Sequence, residues 1–312
     1  MTPAPITRTT PARLFGNAYL LLALAGLCWS GNHILGRAIA GQVPPFAVAC
    51  GRYFLAALIL YPFARAHLGA DWPAIRSRLG LMVFLSALGG GLFSASQYLG
   101  LQLTSAMNVS VMNSLGPALI AAVAAVMFGD RLTRRQLIGI AVSFTGVLAI
   151  ITRLDPDILA TLGFNWGDLL ILFNMLLWAI YSATLRLRPN MHWTSFVFVF
   201  ALISGITTLP FWAWEHAHGF TLQPTWLTAF TFVYVTIFST IAAFVFWNRG
   251  VELIGANRAG IFLHLIPIYS ALLTGAVLGE PLMGYHVVGF GLILAGVWLA
   301  ARGAKSAPPA EV

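Results

Sequence analysis

The sequence predicts an all-α polytopic membrane protein with ten transmembrane helices in two inverted five-helix repeats. Three observations carry that prediction. Hydrophobic residues make up 59% of the 312 and charged residues only 8%, against about 25% charge in an ordinary soluble domain. The apolar residues fall in long continuous runs with short charged punctuation. The second half of the chain repeats the first at a nearly constant offset. Disorder is excluded, since it needs low hydrophobicity and high charge. Open sheets cannot cross lipid because their edges would lack partners. A barrel would read as short alternating segments.

A transmembrane helix takes about 20 apolar residues. After a tail over 1–16 that carries Arg8 and Arg13, the first span is expected at 17–38. The basic start imitates a secretory leader, but no small-residue cleavage site precedes a soluble domain, so the span is expected to stay. The second span, 44–64, holds Arg52. From Leu79 to Gly129 there is no Asp, Glu, Lys or Arg. One helix of that length would be about 76 Å long, more than twice the roughly 30 Å hydrocarbon core. A hairpin is therefore expected, with spans 79–100 and 105–128 and a break near Leu101–Ser105. Span five is 134–152, and 153–165 connects the halves. Spans 166–186, 193–213, 226–248, 257–278 and 284–301 follow, then a tail over 303–312. The two repeats are thus 17–152 and 166–302.

Charge sets the orientation. With the N-terminus inside, the inner segments hold fourteen of the seventeen basic residues and the outer ones only Arg37 and Arg153. That asymmetry places both termini in the cytoplasm, and 153–165 and 214–225 outside. The net charge of +8 is topology and not a nucleic-acid surface, because the basic residues are scattered through short loops. Cys28 and Cys50 lie in apolar runs and read as buried small hydrophobes.

The repeat is read at an offset of 150. Gly100 pairs with Gly250, Pro117 with Pro267, Gly129-Asp130 with Gly279-Glu280, Gly139 with Gly289 and Gly146-Val147 with Gly296-Val297. Five spans per half is an odd number, so the second half enters the membrane from the opposite side. Two such halves can open a shared site to one face and then the other.

Five stretches carry a resemblance over about residues 17–302. They are CWSGN, GRYFLAAL, YLGLQLTSAMNVSVMNSLGPALIAAVAAVMFGDRLTRRQLIGIAVSFTGVLAI, LLWAIYSATLR and LIGANRAGIFLHLIPIYSALLTGAVLGEPL. The chain resembles the EamA-type ten-helix exporters of the drug/metabolite transporter superfamily, the aromatic amino-acid exporters among them. The resemblance implies a cell inner-membrane exporter of small amphipathic metabolites, amino acids first, with other metabolites or drugs as the alternative. It also implies that spans five and ten lie at the side of the bundle and do not line the cavity.

Lipid penalises polar groups, so those at mid-span are the candidates for a solute site. Trp29, Asn32, His33, Tyr98, Asn113, Trp178 and His264 are the expected substrate-binding residues, with Arg52, Gln97 and Asn174 as further candidates. Interhelical hydrogen bonds, worth about 0.6 kcal/mol each, explain each of them singly as well. Their convergence on symmetry-related spans favours a cavity. Arg52 costs about 2.5–3.5 kcal/mol at a helix centre and must face protein or water; packing is its commoner role. Pro117 and Pro267 are hinge candidates, because proline frees a carbonyl in the preceding turn. Thr133 and Gln136 have capping-box spacing, and the glycines of spans five and ten suit close helix approach.

Asp168 and Glu252 are read at a helix start and in a loop, leaving no carboxylate at mid-depth. That argues against organic cations and a carboxylate relay; His33 or His264 remains able to carry protons. There is no HExxH, Walker loop or strand-borne GxGxxG, so an enzyme is not expected. A lipid-modifying enzyme would need acidic or His/Asp clusters. Gly89-Gly90-Gly91 reads as packing, and Glu215-His216-Ala217-His218 as a polar outer loop rather than a metal site. No cofactor is expected. The expected partners are a small-molecule substrate and membrane lipid, with the chain a monomer or weak homodimer.

Overall fold

The computed structural model describes residues 16–104, 116–130, 132–151, 166–278 and 284–302, together with 109, 113, 154, 155 and 157. Among these residues all regular structure is helical.

Helix α1 is Ala18–Ala38, started by Asn17, whose side chain accepts the Leu20 N–H at 3.2 Å. Helix α2, Pro45–Ser77, begins with proline at its first position, where the missing N–H costs nothing. It runs well past the expected end at residue 64. The charges from Arg65 onward mark where the helix leaves lipid, and leaving lipid does not end a helix. At 33 residues it is about 50 Å long. Helix α3 is Leu79–Leu103, interrupted by a π-helical segment at Ala87–Leu92. It ends at extended Thr104, within the expected break.

Helix α4 is Gly116–Phe128 and α5 is Arg134–Ile151. The capping box forms: Thr133 N–H donates to Gln136 Oε1 at 3.0 Å and Gln136 N–H to Thr133 Oγ1 at 3.2 Å. Helix α6 is Trp166–Thr184 and α7 is Trp193–Ala217. Helix α8 is Trp226–Ile254, with a second π segment at Val235–Ala242. Helix α9 is Leu265–Leu278, reached through Ala256–Ala259 and a 3-10 stretch, Gly260–His264. Helix α10 is Gly284–Arg302. Among the described residues six helical stretches are long and apolar enough to cross a membrane: α1, α2, α3, α7, α8 and Leu169–Leu187, which covers most of α6.

Two expectations are corrected. Glu252 lies inside α8, where it pairs with Arg188 at 2.8 Å and Arg249 at 2.9 Å. Residues 215–217 form the last turn of α7, not a loop. There Glu215 is buried, and its carboxylate accepts the Phe46 and Ala47 N–H groups at 3.1 and 3.0 Å. It thereby satisfies two of the orphan donors at the start of α2.

The helices pair in a regular pattern. α2 and α7 form an antiparallel zipper: Phe46 stacks near Phe211 at 5.3 Å, Tyr61 near Phe198 at 5.8 Å and His67 on His192 at 3.7 Å. α5 and α10 cross antiparallel as well. A Cβ on Gly146 would lie 2.7 Å from the Gly289 carbonyl oxygen, and one on Gly296 would lie 2.5 Å from that of Gly139. Ser143 Oγ donates to the Ile293 carbonyl between them at 3.3 Å. Only glycine permits that approach, which replaces hydrophobic driving force with close van der Waals contact in lipid. α1 packs on α8 and α9, whereas α6 packs on α3 and α4. Each half therefore lends its first helix to the third and fourth helices of the other.

Candidate functional site

Where α1 and α6 cross the middle of the bundle, aromatic residues meet. Trp29 lies edge-on to Trp178 with centroids 5.1 Å apart, and Trp247 is 5.5 Å from Trp29 and 5.3 Å from Trp178. Phe244 abuts both Trp29 and Trp178. Edge-to-face rings of this kind gain about 0.5–1.5 kcal/mol per pair beyond their burial. Trp29 is held in place by its indole N–H, which donates to the Ser239 carbonyl at 3.2 Å.

Beside this cluster lies a cavity of about 30 Å³ lined by Trp29, His33, Phe93, Gln97, Asn113, Met175, Trp178, Leu263 and Ile266. Water needs roughly 10–15 Å³ of such space and a ligand pocket some 300 Å³ or more. The cavity therefore holds a water or two as it stands, and its walls must part to admit a metabolite. Among the described residues no charged side chain lines it. His33 Nε2 and Asn113 Nδ2 lie 3.2 Å apart. His33 Nδ1, Asn113 Oδ1 and Trp178 Nε1 are buried and have no hydrogen-bond partner among the described residues. Such buried orphan atoms are costly, and a solute with its own donors and acceptors would satisfy them.

A second polar cluster adjoins the first through α1, since Asn32 precedes His33. Arg52 is only 2% exposed. Its Nε donates to Thr240 Oγ1 at 2.6 Å, Nη1 to the Tyr98 hydroxyl at 2.8 Å and to Asn32 Oδ1 at 3.5 Å, and Nη2 to Ser239 Oγ at 3.1 Å. The Tyr98 hydroxyl donates to Asn32 Oδ1 at 2.6 Å, and Thr240 Oγ1 donates to the Val235 carbonyl, five residues back, at 2.7 Å. That i→i−5 reach is the spacing of the π turn. Both hydroxyl protons thus point away from the guanidinium, which meets oxygen lone pairs of neutral groups.

A third space opens at the His192 end, a vestibule of about 350 Å³ whose lining includes Asn190, His192, Asn248, Arg249 and Glu252. Tyr181 donates to Asn248 Oδ1 at 2.7 Å, and its ring lies 5.2 Å from Trp178. One aromatic layer thus separates vestibule from cavity. The glycine-rich π segment makes this layer possible, because any Cβ on Gly89 would overlap the Tyr181 ring.

Of the residues expected from sequence, Trp29, His33, Gln97, Asn113 and Trp178 line one cavity, and Asn32, Tyr98 and Arg52 form the adjoining cluster. Asn174 is turned to α3, donating to the Phe93 carbonyl and to Ser96 Oγ. His264 is fully buried in the 3-10 stretch, and neither ring nitrogen has a partner among the described residues. It does not line the cavity. Pro267 occupies the first turn of α9, whereas Pro117 lies in α4 just after residues 114 and 115, which are outside the described residues. Pro267 follows directly on the 3-10 to α junction. Asp130 pairs with Arg186. Glu280 and the side chain of Asp168 lie outside the described residues. Sequence reasoning passed over Ser239, Thr240, Tyr181 and Asn248. A pointer was available: Tyr98 and Asn248 are 150 apart, and each joins a Tyr–Asn hydrogen bond. Among the described residues no group of three metal-ligating side chains occurs.

The chain is similar to known transporters throughout its length. The model of the EamA-like transporter family matches it twice, over residues 16–152 and 165–302. A Bacillus subtilis protein named uncharacterized transporter YyaM is 26% identical over 91% of this chain and 93% of its own. An uncharacterized transporter of Archaeoglobus fulgidus is 28% identical over 90% and 96%. The Salmonella typhimurium protein named uncharacterized inner membrane transporter YicL is 25% identical over 83% and 87%. A solved crystal structure shares the fold, with a TM-score of 0.74 at 20% identity over 92% of this chain and 97% of the other.

Proposed function

The chain belongs to the EamA-like transporter family, and from that premise we propose that it exports small amphipathic metabolites, amino acids among them and aromatic ones first, across the inner membrane. Transport proceeds by alternating access between two inverted halves. Both termini are cytoplasmic, so the vestibule beside His192 faces the cytoplasm and the Glu215 end of α7 faces outward. The name of the Salmonella relative supports the inner-membrane placement.

One observation carries the substrate reading. The central cavity combines two tryptophans with the uncharged polar groups of His33, Gln97 and Asn113, and both halves contribute to it. Such a lining suits a solute with an aromatic body and a hydrogen-bonding head, and offers nothing to neutralise an organic cation. The antiparallel pairing of α5 with α10 and of α2 with α7, and the exchange of first helices, support an inverted repeat. That symmetry is one transporters use for alternating access. The contracted cavity, with a closed aromatic layer toward the vestibule, fits an occluded step of that cycle.

Purified protein in liposomes, loaded with unlabelled amino acids or drugs and offered the radiolabelled compounds, tests the proposal with and without a pH gradient. Saturable counterflow of phenylalanine or tryptophan is the expected result. Movement of organic cations with no movement of any amino acid contradicts it.

A further inference from the structure

We propose that Arg52 is a carboxylate subsite, occupied by the acid group of the solute when the outer end of the bundle opens. The assignment rests on the amino-acid reading above and sharpens it: the solute must carry an anionic group.

The argument begins with charge. Arg52 is buried at 2% exposure about two turns below the outer start of α2. Its hydrogen-bond partners are Thr240, Ser239, Tyr98 and Asn32, none of which carries a charge. Among the described residues no carboxylate forms an ion pair with it, since those pairs involve Asp130 and Glu252 at the opposite end. A buried charge is ordinarily neutralised by a partner or placed where function requires it. Packing alone would be met at lower cost by a neutral side chain.

The partners also sort by element. Asn32 and Tyr98 come from α1 and α3, whereas Ser239 and Thr240 sit on the π segment of α8. The guanidinium therefore ties α2 to the opposite half. Parting the outer end withdraws Ser239 and Thr240, and with them the acceptors of Nε and Nη2. Those two N–H groups form one edge of the guanidinium fork. A carboxylate matches that edge with two parallel bonds and supplies the missing charge. A neutral amide matches only part of it.

The place is right for a solute in the cavity. Asn32 bonds Arg52 while His33, the next residue, lines the cavity. Ser239 bonds Arg52 through its hydroxyl and Trp29 through its carbonyl. The two sites thus share walls on α1 and α8. A solute with its ring against Trp29 and Trp178 has Arg52 on its outward side.

Counterflow of radiolabelled L-phenylalanine, competed by 3-phenylpropionate or by the neutral 3-phenylpropionamide, reads the assignment. In the wild type the acid should compete at least about tenfold better than the amide, the scale of a charge-assisted hydrogen bond. Arg52→Gln should lower phenylalanine counterflow by a similar factor and erase the preference for acid over amide. Arg52→Lys, which keeps the charge without the fork, should retain a reduced preference. Thr240→Val, which loosens the closed cluster and spares the guanidinium, should keep the full preference. A wild type that moves phenylalanine but treats acid and amide alike overturns the assignment and leaves the proposed function standing. So does an Arg52→Gln protein that keeps the wild-type preference. Should Arg52→Gln not fold, the wild-type competition and Arg52→Lys decide. A wild type that moves no amino acid at all contradicts the function itself.

Discussion

Trp178 touches more of the central cluster than any single polar residue does, with Trp29, Phe93, Tyr181, Phe244 and Trp247 all within 6 Å by centroid. Trp178→Ala removes those contacts at once, a loss of about 3–5 kcal/mol in a packed core, so it should lower both melting temperature and transport. Asn113→Ala isolates chemistry from packing. It should leave the melting temperature within a few degrees and reduce initial rates in liposomes several-fold, because a cavity acceptor is gone. Equal rates for the two proteins would remove Asn113 from the site. At this scale residue type and a regular helix together bring Trp29, His33 and Gln97 to one cavity. His264 lies off it, because a 3-10 stretch rotates the side chain by an amount no α periodicity predicts. Glu215 was misjudged for another reason: the N–H groups it caps begin α2, far away in sequence.

The helical, apolar character of the chain was legible because lipid demands long apolar runs, but the reach of α2 to Ser77 was not; the capping box and glycine pairs followed from spacing alone. The two π segments were not legible, because a single extra residue in a turn leaves the hydrophobic pattern intact. They occupy corresponding places in α3 and α8; one admits the Tyr181 ring, the other aims Thr240 at Arg52. The vestibule end of the α2–α7 zipper gives a pH prediction. There His192 stacks on His67 and its backbone N–H donates to Asp71, while Arg188, Arg249 and Glu252 share the vestibule. Partial burial of the ring, then the neighbouring His67, holds His192 below the usual imidazole value of 6.5, with Asp71 opposing. The unfolded chain then binds more protons than the folded one as pH falls below 6.5, so stability is lost on acidification. His192→Asn keeps an acceptor at the α7 start and should flatten the drop in melting temperature between pH 7 and pH 5, on the order of two units across that titration. An unchanged pH profile would show that the stack does not sense protons.

At the scale of the molecule the account requires two ends that never open together. The Glu215 end is closed by Arg52, by Glu215 on α2 and by Gln223 N–H donating to the Gln42 carbonyl. The His192 end is closed by Arg78 donating to the Leu187 carbonyl, by the Arg186–Asp130 pair and by the Tyr181–Asn248 bond. Between them lies a cavity too small for a metabolite, so opening one end must also widen the middle. The offset of 150 and the odd number of spans in each half, from which the proposed inversion is argued, are sequence observations; the crossed loan of α1 and α6 is not, because hydropathy carries no information about neighbours. Spin labels read the requirement most directly, with Cys28 and Cys50 replaced. One pair sits at Gln42 and Gln223, the other at Arg78 and Leu187, and both distances are measured in nanodiscs with and without saturating phenylalanine. The account predicts opposite changes, one distance distribution lengthening as the other shortens. Two distances that lengthen together, or that stay fixed while transport proceeds, would contradict it.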